Sequence, residues 1–368
     1  MNTNSKVILD VDRVQKQLLS DYDNTLNKAR AKVLAFLILA LCKVQDVGLF
    51  KLANSFNSKA KSLSSMRRVQ RFLSEVSLDF DKLAKFIFKL LPFDGPYVLS
   101  MDRTNWQFGS LDINALFVGI CYNGIAFPLL FKLLPKRGNS NTRERIEIMN
   151  RYLKLFGGNS INCLVADREF VGHDWLQYLN NMHIPYHIRI KENFEVTRHG
   201  KTTKAWTMFA DLKMRLSVIL DKIYSVNGEY CYLSASRIKN KEGNPELQII
   251  VSYNQPQKSL ERYRLRWQIE TCFKGMKSSG FNIENTHLKD LDRIGNLFGV
   301  LMIAFVWAYV VGPHQHEHVI PIRLLKTGRL AKSFVKYGIE LISNYLSNIY
   351  STPQFDLIKK LSCTWFKN

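Results

Sequence analysis

The stretch YVLSMD at residues 97–102 decides the fold that we predict for this chain. Its side chains suit a buried strand, and it ends on a carboxylate, Asp102. Two further apolar runs follow at 115–121 and 125–131, and the Asn-Gly pair between them is a strong signal for a tight hairpin. The sequence therefore predicts a three-stranded meander that starts with the strand carrying Asp102.

A second strand ending on a carboxylate is predicted at INCLVAD, residues 161–167, whose last residue is Asp167. Helices and a strand flank it: a helix capped by Asn141 and Glu144, a helix over 174–182 and a strand over 186–190. Three strands, helix, strand, helix, strand is the order of an RNase H-like core, in which carboxylates at neighbouring strand ends converge at one edge of a mixed sheet. We therefore predict an α/β fold with an RNase H-like core, a mixed sheet with flanking helices, whose first part spans residues 91–190.

Residues 191–258 interrupt this pattern with a polar, basic and strand-rich segment. Turn signals at 227–228 and 241–244 separate short strand-like runs. We predict a β-rich insertion over 191–258, after which the core resumes over 259–295 with its final helix.

That final helix is predicted at YRLRWQIETCFKGMK, residues 263–277. At about 100° per residue, its spacings place Tyr263, Arg266, Glu270 and Lys277 on one face and a set of apolar side chains on another. A carboxylate flanked by two cations suits a site in which the carboxylate holds a metal and the cations bind a phosphodiester. Taken alone, the stretch is more typical of a solvated amphipathic helix with ordinary ion pairs.

The N-terminal residues 1–90 predict a basic helical module. An apolar helix is expected over 31–44, and Ser64 and Ser65 are candidate N-caps for a helix that turns Arg67, Arg68 and Arg71 outward. Such a module is suited to DNA binding, in the manner of a helix-turn-helix; the alternative is a helical bundle with a solvated basic face.

The charge of the whole chain indicates a polyanionic partner. Its 368 residues include 52 Lys and Arg against 31 Asp and Glu, a formal net charge of +21. An excess of this size favours nucleic acid or an anionic membrane surface. Six cysteines without a C-x-x-C pair, and an N-terminus unlike a signal peptide, indicate a reducing cytoplasm.

Residues 296–368 predict a helical, basic C-terminal region that is a candidate for dimerisation or DNA contact. Its apolar run, 297–311, is shorter than the about 20 residues that span a bilayer, so we expect a core helix ended by Pro313 and no membrane association. The histidines at 314, 316 and 318 fit a solvated loop better than a metal site.

Asp102, Asp167 and Glu270 are three carboxylates that this topology brings together. Three such groups can hold two magnesium ions about 4 Å apart for an in-line displacement at phosphorus. Arg266 and Lys277 would neutralise nearby phosphate oxygens, Arg266 through a two-pronged contact and Lys277 as a point charge.

The helix at 263–277 resembles the Y-(2)-R-(3)-E-(6)-K motif of the DDE transposases of bacterial insertion sequences, the IS-four family. Tyr263, Arg266, Glu270 and Lys277 match the motif at every spacing. The resemblance covers roughly residues 90–290, and a β-rich insertion before the glutamate is also typical of that family.

Asp102 in MDRTNW and Asp167 in ADREF are similar to the two aspartate blocks of the same family. The resemblance implies a cut-and-paste DNA transposase in which Asp102, Asp167 and Glu270 bind Mg²⁺, with Mn²⁺ as a substitute. It implies cleavage and joining of the element's terminal inverted repeats to target DNA through a hairpin intermediate, by a homodimer. It also implies that an aromatic side chain stacks on a flipped base; Trp267 is the first candidate, and Trp206, Tyr230 and Tyr232 are weaker ones.

Three other functions share part of this pattern. An RNase H-like nuclease without strand transfer would need the carboxylates but not the complete Tyr-Arg-Glu-Lys face. A transposase-derived DNA-binding protein without catalysis would retain the fold, although the intact carboxylates argue against it. A membrane protein built on 297–311 is disfavoured by the length of that run.

Overall fold

The computed structural model describes residues 11–23, 26–56 and 60–347. The chain divides into two compact units. The first comprises the described residues of Met1–Phe93, Asn105–Ile113 and Phe273–Asn368, and the second comprises Asp94–Thr104 and Asn114–Cys272.

Residues 11–17 are helical and lead into a π-helix, Leu18–Tyr22. The α-helices after it are α1 (Lys28–Val44), α2 (Leu49–Asn54), α3 (Ser62–Glu75), α4 (Phe80–Lys89), α5 (Thr142–Phe156), α6 (His173–Asn181), α7 (Ser259–Arg264), α8 (Trp267–Met276), α9 (Leu291–His318) and α10 (Phe334–Leu346). The strands are β1 (Tyr97–Phe108), β2 (Leu111–Tyr122), β3 (Ile125–Leu134), β4 (Ile161–Ala166), β5 (Tyr186–Ile190), β6 (Glu195–Arg198), β7 (Lys201–Lys204), β8 (Ser217–Val226), β9 (Glu229–Lys239) and β10 (Pro245–Ser252).

These strands form one mixed sheet in the order β3-β2-β1-β4-β5-β10-β9-β8-β6-β7. β2 and β3 are antiparallel, while β1, β4 and β5 are parallel neighbours joined through α5 and α6. The predicted α/β class and RNase H-like strand order are confirmed. The turn between β2 and β3 carries the predicted Asn-Gly pair, with φ of 45° at Asn123 and 86° at Gly124.

The strands of the segment 191–258 continue the core sheet. β10 lies antiparallel to β5, and β9, β8, β6 and β7 follow it outward. The strands of this segment therefore belong to the same hydrogen-bonded sheet as the core strands.

The stretch 263–277 is two helices, not the single helix predicted from its periodicity. α7 ends at Arg264 and α8 starts at Trp267. The carbonyl oxygens of Leu265 and Arg266 accept hydrogen bonds from the Cys121 thiol (3.4 Å) and the Ser100 hydroxyl (3.5 Å), both on sheet strands. The sheet thus holds the two carbonyls between the helices, an effect that no helical periodicity encodes.

The prediction that Pro313 ends the long apolar helix is wrong. α9 runs through Pro313 to His318. A proline inside a helix removes the hydrogen bond of its own nitrogen and its ring crowds the carbonyl four residues earlier, and the packing around α9 offsets this cost. Gly338 of α10 shows how close this packing is: a Cβ there would lie 1.8 Å from the carbonyl oxygen of Ala308.

α9 is a core helix, as predicted. It is long and apolar enough to cross a membrane, but its apolar stretch is buried inside the fold, which is the behaviour of a core helix in a globular unit. His314, His316 and His318 lie on its last turns and not in the solvated loop that we predicted. The rings of His314 and His318 stack at 4.5 Å.

α3 starts at Ser62, and its N-cap residue, Lys61, lies three and four residues before the predicted caps Ser64 and Ser65. Arg67 and Arg71 are exposed, and the half-buried Arg68 places its guanidinium 5.6 Å from the ring centre of Phe36. The outward orientation expected for Arg67 and Arg71 is confirmed, and the helix-turn-helix assignment stays a prediction.

The buried side chain of Asn296 joins α9 to the end of α3. Its amide nitrogen donates to the carbonyl oxygens of Leu73 (3.0 Å) and Val76 (2.6 Å), and its oxygen accepts from the backbone nitrogen of Leu78 (3.3 Å). We expect Asn296→Leu to lower the free energy of unfolding by about 2–4 kcal/mol, since it removes the hydrogen-bond partner of three buried backbone groups. Chemical denaturation measures the loss. The control Asn54→Leu, at an exposed position, should change stability by less than about 0.5 kcal/mol; equal losses in both variants would contradict the assignment.

Candidate active site

The parallel pairing of β1 with β4 places Asp102 beside Asp167. Met101 is opposite Ala166 in this ladder, so the two aspartates are the next residues along adjacent parallel strands. Each carboxylate accepts a hydrogen bond of 2.7 Å from the backbone nitrogen of the residue that follows it. Both aspartates thus have the same local geometry, although β1 continues to Phe108 and does not end at Asp102 as predicted.

The guanidinium of Arg266 links Glu270 to the first aspartate. Its Nη2 lies 2.7 Å from Glu270 Oε1, and its Nη1 lies 3.4 Å from Asp102 Oδ2. The hydroxyl of Tyr263 donates to Asp167 Oδ1 at 3.4 Å. Three carboxylates from β1, the end of β4 and α8 therefore meet around one Arg and one Tyr.

The site is partly buried, and the burial changes its electrostatics: the side chains of Arg266 and Asp102 are largely shielded from solvent, whereas that of Glu270 is partly exposed. Arg266 is only 4 % exposed. Burial raises the pKa of Asp102 to about 7, although the backbone nitrogen of Arg103 and the charge of Arg266 favour its ionised form; Glu169 and Asp167 raise the pKa further. Burial disfavours the Arg266 cation, but Tyr263 and the three carboxylates raise its pKa overall. Three carboxylates surround a single arginine, and burial disfavours their ionised forms. The positive charge of Arg266 therefore stabilises the cluster.

Lys277, the fourth residue of the predicted face, has different surroundings. It follows the last residue of α8 and belongs to the first unit, whereas the other three belong to the second. Its ammonium donates to the carbonyl oxygen of Asn105 at 3.0 Å, pairs with Glu284 at 2.9 Å, and lies 5.7 Å from the ring centre of Trp106. The contacts of Lys277 thus do not include the carboxylate cluster.

An ion pair that the sequence analysis missed connects the two aspartate segments. Arg103 follows Asp102, and its Nε and Nη2 donate to the two carboxylate oxygens of Glu169 at 2.7 and 2.9 Å. The remaining donors of the same guanidinium reach Asn114 Oδ1 at 3.0 Å, the Gly138 carbonyl at 2.7 Å and Asn139 Oδ1 at 2.8 Å. We call this pair the Arg103–Glu169 clamp. The signal that could have found it is the repeated Asp-Arg dipeptide at both strand ends, followed at the second by a glutamate.

Arg145 of α5 supports the clamp from behind. It is buried, donates to the carbonyl oxygen of Glu169 at 2.9 Å and to that of Ser140 at 2.6 Å, and stacks over the Phe170 ring at 5.0 Å. The turn after Asp167 is therefore fixed through both the backbone and the side chain of Glu169.

Comparison with known families identifies the chain. The profile of the transposase DDE domain family matches residues 95–307, more than half of the sequence. The chain belongs to the transposase DDE domain family. A search of curated proteins found no match. The protein is accordingly a transposase, an enzyme that binds DNA and acts on it in transposition and DNA recombination.

An exposed aromatic side chain borders the carboxylates of the transposase. Trp267 is 48 % exposed, with the Arg266 guanidinium 5.0 Å and the Lys241 ammonium 5.5 Å from its ring centre. Trp206 and Tyr230 are also exposed, whereas Tyr232 is half-buried. A ring held between two cations is suited to contact with a nucleic acid, whose bases stack on it and whose phosphates attract the cations.

Transposases of this family generally use divalent metal ions, and the carboxylates fit such an ion by their chemistry. Hard cations such as Mg²⁺ prefer carboxylate oxygens, and Asp102, Asp167 and Glu270 supply them. Within the described ranges, however, no three His, Cys, Asp or Glu side chains lie close enough to hold a metal. Two of the three carboxylates, Asp102 and Glu270, instead contact the Arg266 guanidinium.

The raised pKa of Asp102 predicts that binding of any metal ion held by this carboxylate depends on pH. Because the folded pKa of about 7 lies above the ordinary aspartate pKa of 3.8, the folded protein binds the Asp102 proton more tightly, and this contribution to stability is lost as the pH rises from about 4 to 7. A metal must displace that proton, so we expect Mn²⁺ affinity to rise by up to about tenfold per pH unit below pH 7 and to level off above it. Calorimetric titration measures this profile. Asp102→Asn should flatten it; an unchanged profile in that variant would contradict the assignment.

Proposed function

We propose that the transposase cuts and joins the terminal inverted repeats of an insertion sequence, with Asp102, Asp167 and Glu270 as its metal-binding catalytic carboxylates. The observation that carries the proposal is the meeting of these three side chains, from two adjacent parallel strands and one helix, around Arg266 and Tyr263. The match to the family spans all three positions.

The residues around the carboxylates have separate roles in binding the DNA phosphates. Arg266 and Tyr263, released from their carboxylate partners, bind phosphate oxygens near the scissile bond, and Lys277 contributes a further positive charge. Bound Mg²⁺, with Mn²⁺ as a substitute, supplies Lewis-acid stabilisation of the negative charge that develops in a two-metal phosphoryl transfer. The Asp102 carboxyl must lose its proton before it can hold a cation.

The other parts of the chain have proposed roles as well. Residues 1–90 form the module that binds the terminal repeat, with Arg67, Arg68 and Arg71 on phosphates, and 191–258 is the insertion between the two core parts, 91–190 and 259–295. The transposase works in the cytoplasm as a homodimer to which the region 296–368 contributes contacts, and it joins the excised ends to target DNA.

An end-cleavage assay tests the function. Purified transposase with Mg²⁺ and a duplex ending in its element's repeat should nick the DNA at the repeat boundary, convert the end to a hairpin, and join it to a second duplex; denaturing gels separate the products. Cleavage without any joined product would favour an RNase H-like nuclease. Binding without cleavage would favour a DNA-binding protein that has lost catalysis.

We propose that Trp267 stacks on a base flipped from the DNA end during hairpin formation. Loss of one base–aromatic contact costs about 1–3 kcal/mol, so Trp267→Ala should reduce the yield of hairpin by about 10–100-fold while the first nick persists. Quantifying nick and hairpin on the same gel measures the effect. The matched control is Trp206→Ala, at a similarly exposed tryptophan of the insertion. If Trp206→Ala loses the hairpin and Trp267→Ala does not, the assignment to Trp267 is wrong.

A further inference from the structure

Residues 323–331, between α9 and α10, form a small hairpin that we call the basic hairpin. Leu324 and Leu330 make an antiparallel bridge, and the backbone nitrogen of Leu325 donates to the carbonyl of Arg329 at 2.8 Å. Gly328, at the tip, has a φ of +75°, which the tight turn requires and which glycine adopts without strain. The segment therefore has a defined shape and presents its tip residues in fixed order.

Both ends of the basic hairpin are attached to the helices beside it. Before the hairpin, the backbone nitrogen of Ile322 donates to His316 Nδ1 at 2.8 Å, and the Tyr337 hydroxyl donates to the carbonyl of Ile320 at 2.8 Å. After it, the Ser333 hydroxyl caps α10. One of the three histidines of α9 thus anchors the hairpin through an unprotonated ring nitrogen.

The basic hairpin is positively charged without compensation. Between Glu317 and Glu340 the sequence has 22 residues with five Lys or Arg and no acid. Lys332 pairs with Glu340, and Lys336 donates to the side chain of Gln45. The other three cations, Arg323, Lys326 and Arg329, are exposed, and among the described residues none forms an ion pair with them.

Apolar side chains are exposed among these cations. Leu324 is 63 % and Leu325 is 41 % exposed, and Ile320 at the entry to the hairpin is 56 % exposed. Two copies of the hairpin would repel each other through their like charges, which disfavours self-association. A duplex satisfies both features, because phosphates attract the cations and a groove accepts apolar side chains against sugars and base edges.

We propose that the basic hairpin is a DNA-contacting element of the transposase, with Lys326, Arg329 and Arg323 on phosphates and Leu324 and Leu325 against a groove of the duplex. The proposal rests on the DNA-binding activity of the family and assigns it a surface outside the carboxylate site and outside residues 1–90. The cations set the dependence of binding on salt, and the leucines contribute affinity that salt does not change.

The test is the salt dependence of DNA binding by the full chain. Fluorescence anisotropy in EDTA, with a labelled duplex spanning one end of the element, gives the affinity over a series of NaCl concentrations. We expect Lys326→Ala/Arg329→Ala to reduce the slope of log affinity against log salt by roughly 0.9 for each cation removed. Leu324→Ser/Leu325→Ser should weaken binding by about threefold to tenfold with the slope unchanged, as expected for lost apolar contact.

The matched control is Lys154→Ala/Lys289→Ala, which removes the same charge from exposed positions outside residues 1–90 and outside the basic hairpin. If the control reduces the slope as much as the hairpin variant does, or if the hairpin variant leaves the slope unchanged, the proposal is overturned. It is also overturned if the variants lose binding to phosphatidylglycerol-containing vesicles and keep wild-type binding to DNA, since the hairpin would then be a membrane-contacting element. Absence of DNA binding by the wild type would instead contradict the proposed function, so the two failures are distinguishable.

Discussion

Glu270→Gln should bind the terminal-repeat duplex as the wild type does and lose its cleavage by at least about 10³-fold, a loss of about 4 kcal/mol of transition-state stabilisation. The substitution keeps the shape of the side chain, and its amide oxygen can still accept from Arg266 Nη2, which now lies 2.7 Å from Glu270 Oε1. What it removes is one negative charge. Glu270 is therefore expected to matter through the cation that it holds, and single-turnover cleavage with Mg²⁺ measures the loss.

Two further measurements separate chemistry from folding for Glu270→Gln. Its melting temperature without metal should stay within about 5 °C of the wild type, because Glu270 is partly exposed and Arg266 keeps its contact with Asp102. Glu261→Gln is the matched control: Glu261 is exposed on α7, one helix earlier, and its change should leave cleavage within about twofold. Cleavage retained by Glu270→Gln would remove this residue from the catalytic assignment.

The parts of the fold that the sequence predicted correctly are those with local causes. The turn at Asn123 and Gly124 needs positive φ at both residues, which this dipeptide supplies whatever surrounds it. The capping box of α5, between Asn141 and Glu144, is complete within four residues. The order of strands and helices followed from such local signals. That order was sufficient to predict that the segments carrying Asp102 and Asp167 lie side by side.

The parts that the sequence analysis missed depend on partners far away in the chain. The break before Trp267 depends on hydroxyl and thiol donors from Ser100 and Cys121, more than a hundred residues earlier. A continuous helical period in the sequence does not reveal such donors. The sequence also does not reveal that β1 continues past Asp102 to Phe108. Nor does it reveal that α9 continues past Pro313, because packing around that helix decides the effect of the proline.

The Arg103–Glu169 clamp is the clearest example of a distant partner, and its disruption should have the second large effect. Glu169→Gln leaves a charged and partly buried Arg103 facing a neutral amide, and loss of such a charge-assisted pair costs about 1.5–3 kcal/mol. Arg103→Lys cannot replace the clamp, because an ammonium lacks the planar set of donors that now reaches four acceptor residues. We expect either change to lower cleavage by about 10²–10³-fold, since small displacements of catalytic groups have effects of this size.

A role in positioning predicts more than a loss of stability. If the clamp holds the Asp102 and Asp167 segments in register, its variants should bind Mn²⁺ at least about tenfold more weakly at temperatures where they are fully folded, and the double variant Arg103→Gln/Glu169→Gln should be no worse than either single one. A lowered melting temperature with unchanged Mn²⁺ affinity would assign the clamp to stability alone. The control pair lies on α5: Arg143 and Glu147 form an exposed ion pair, and Arg143→Gln/Glu147→Gln should alter neither quantity, because exposed pairs contribute little. The difference between the two pairs then isolates what the clamp does for the aspartates.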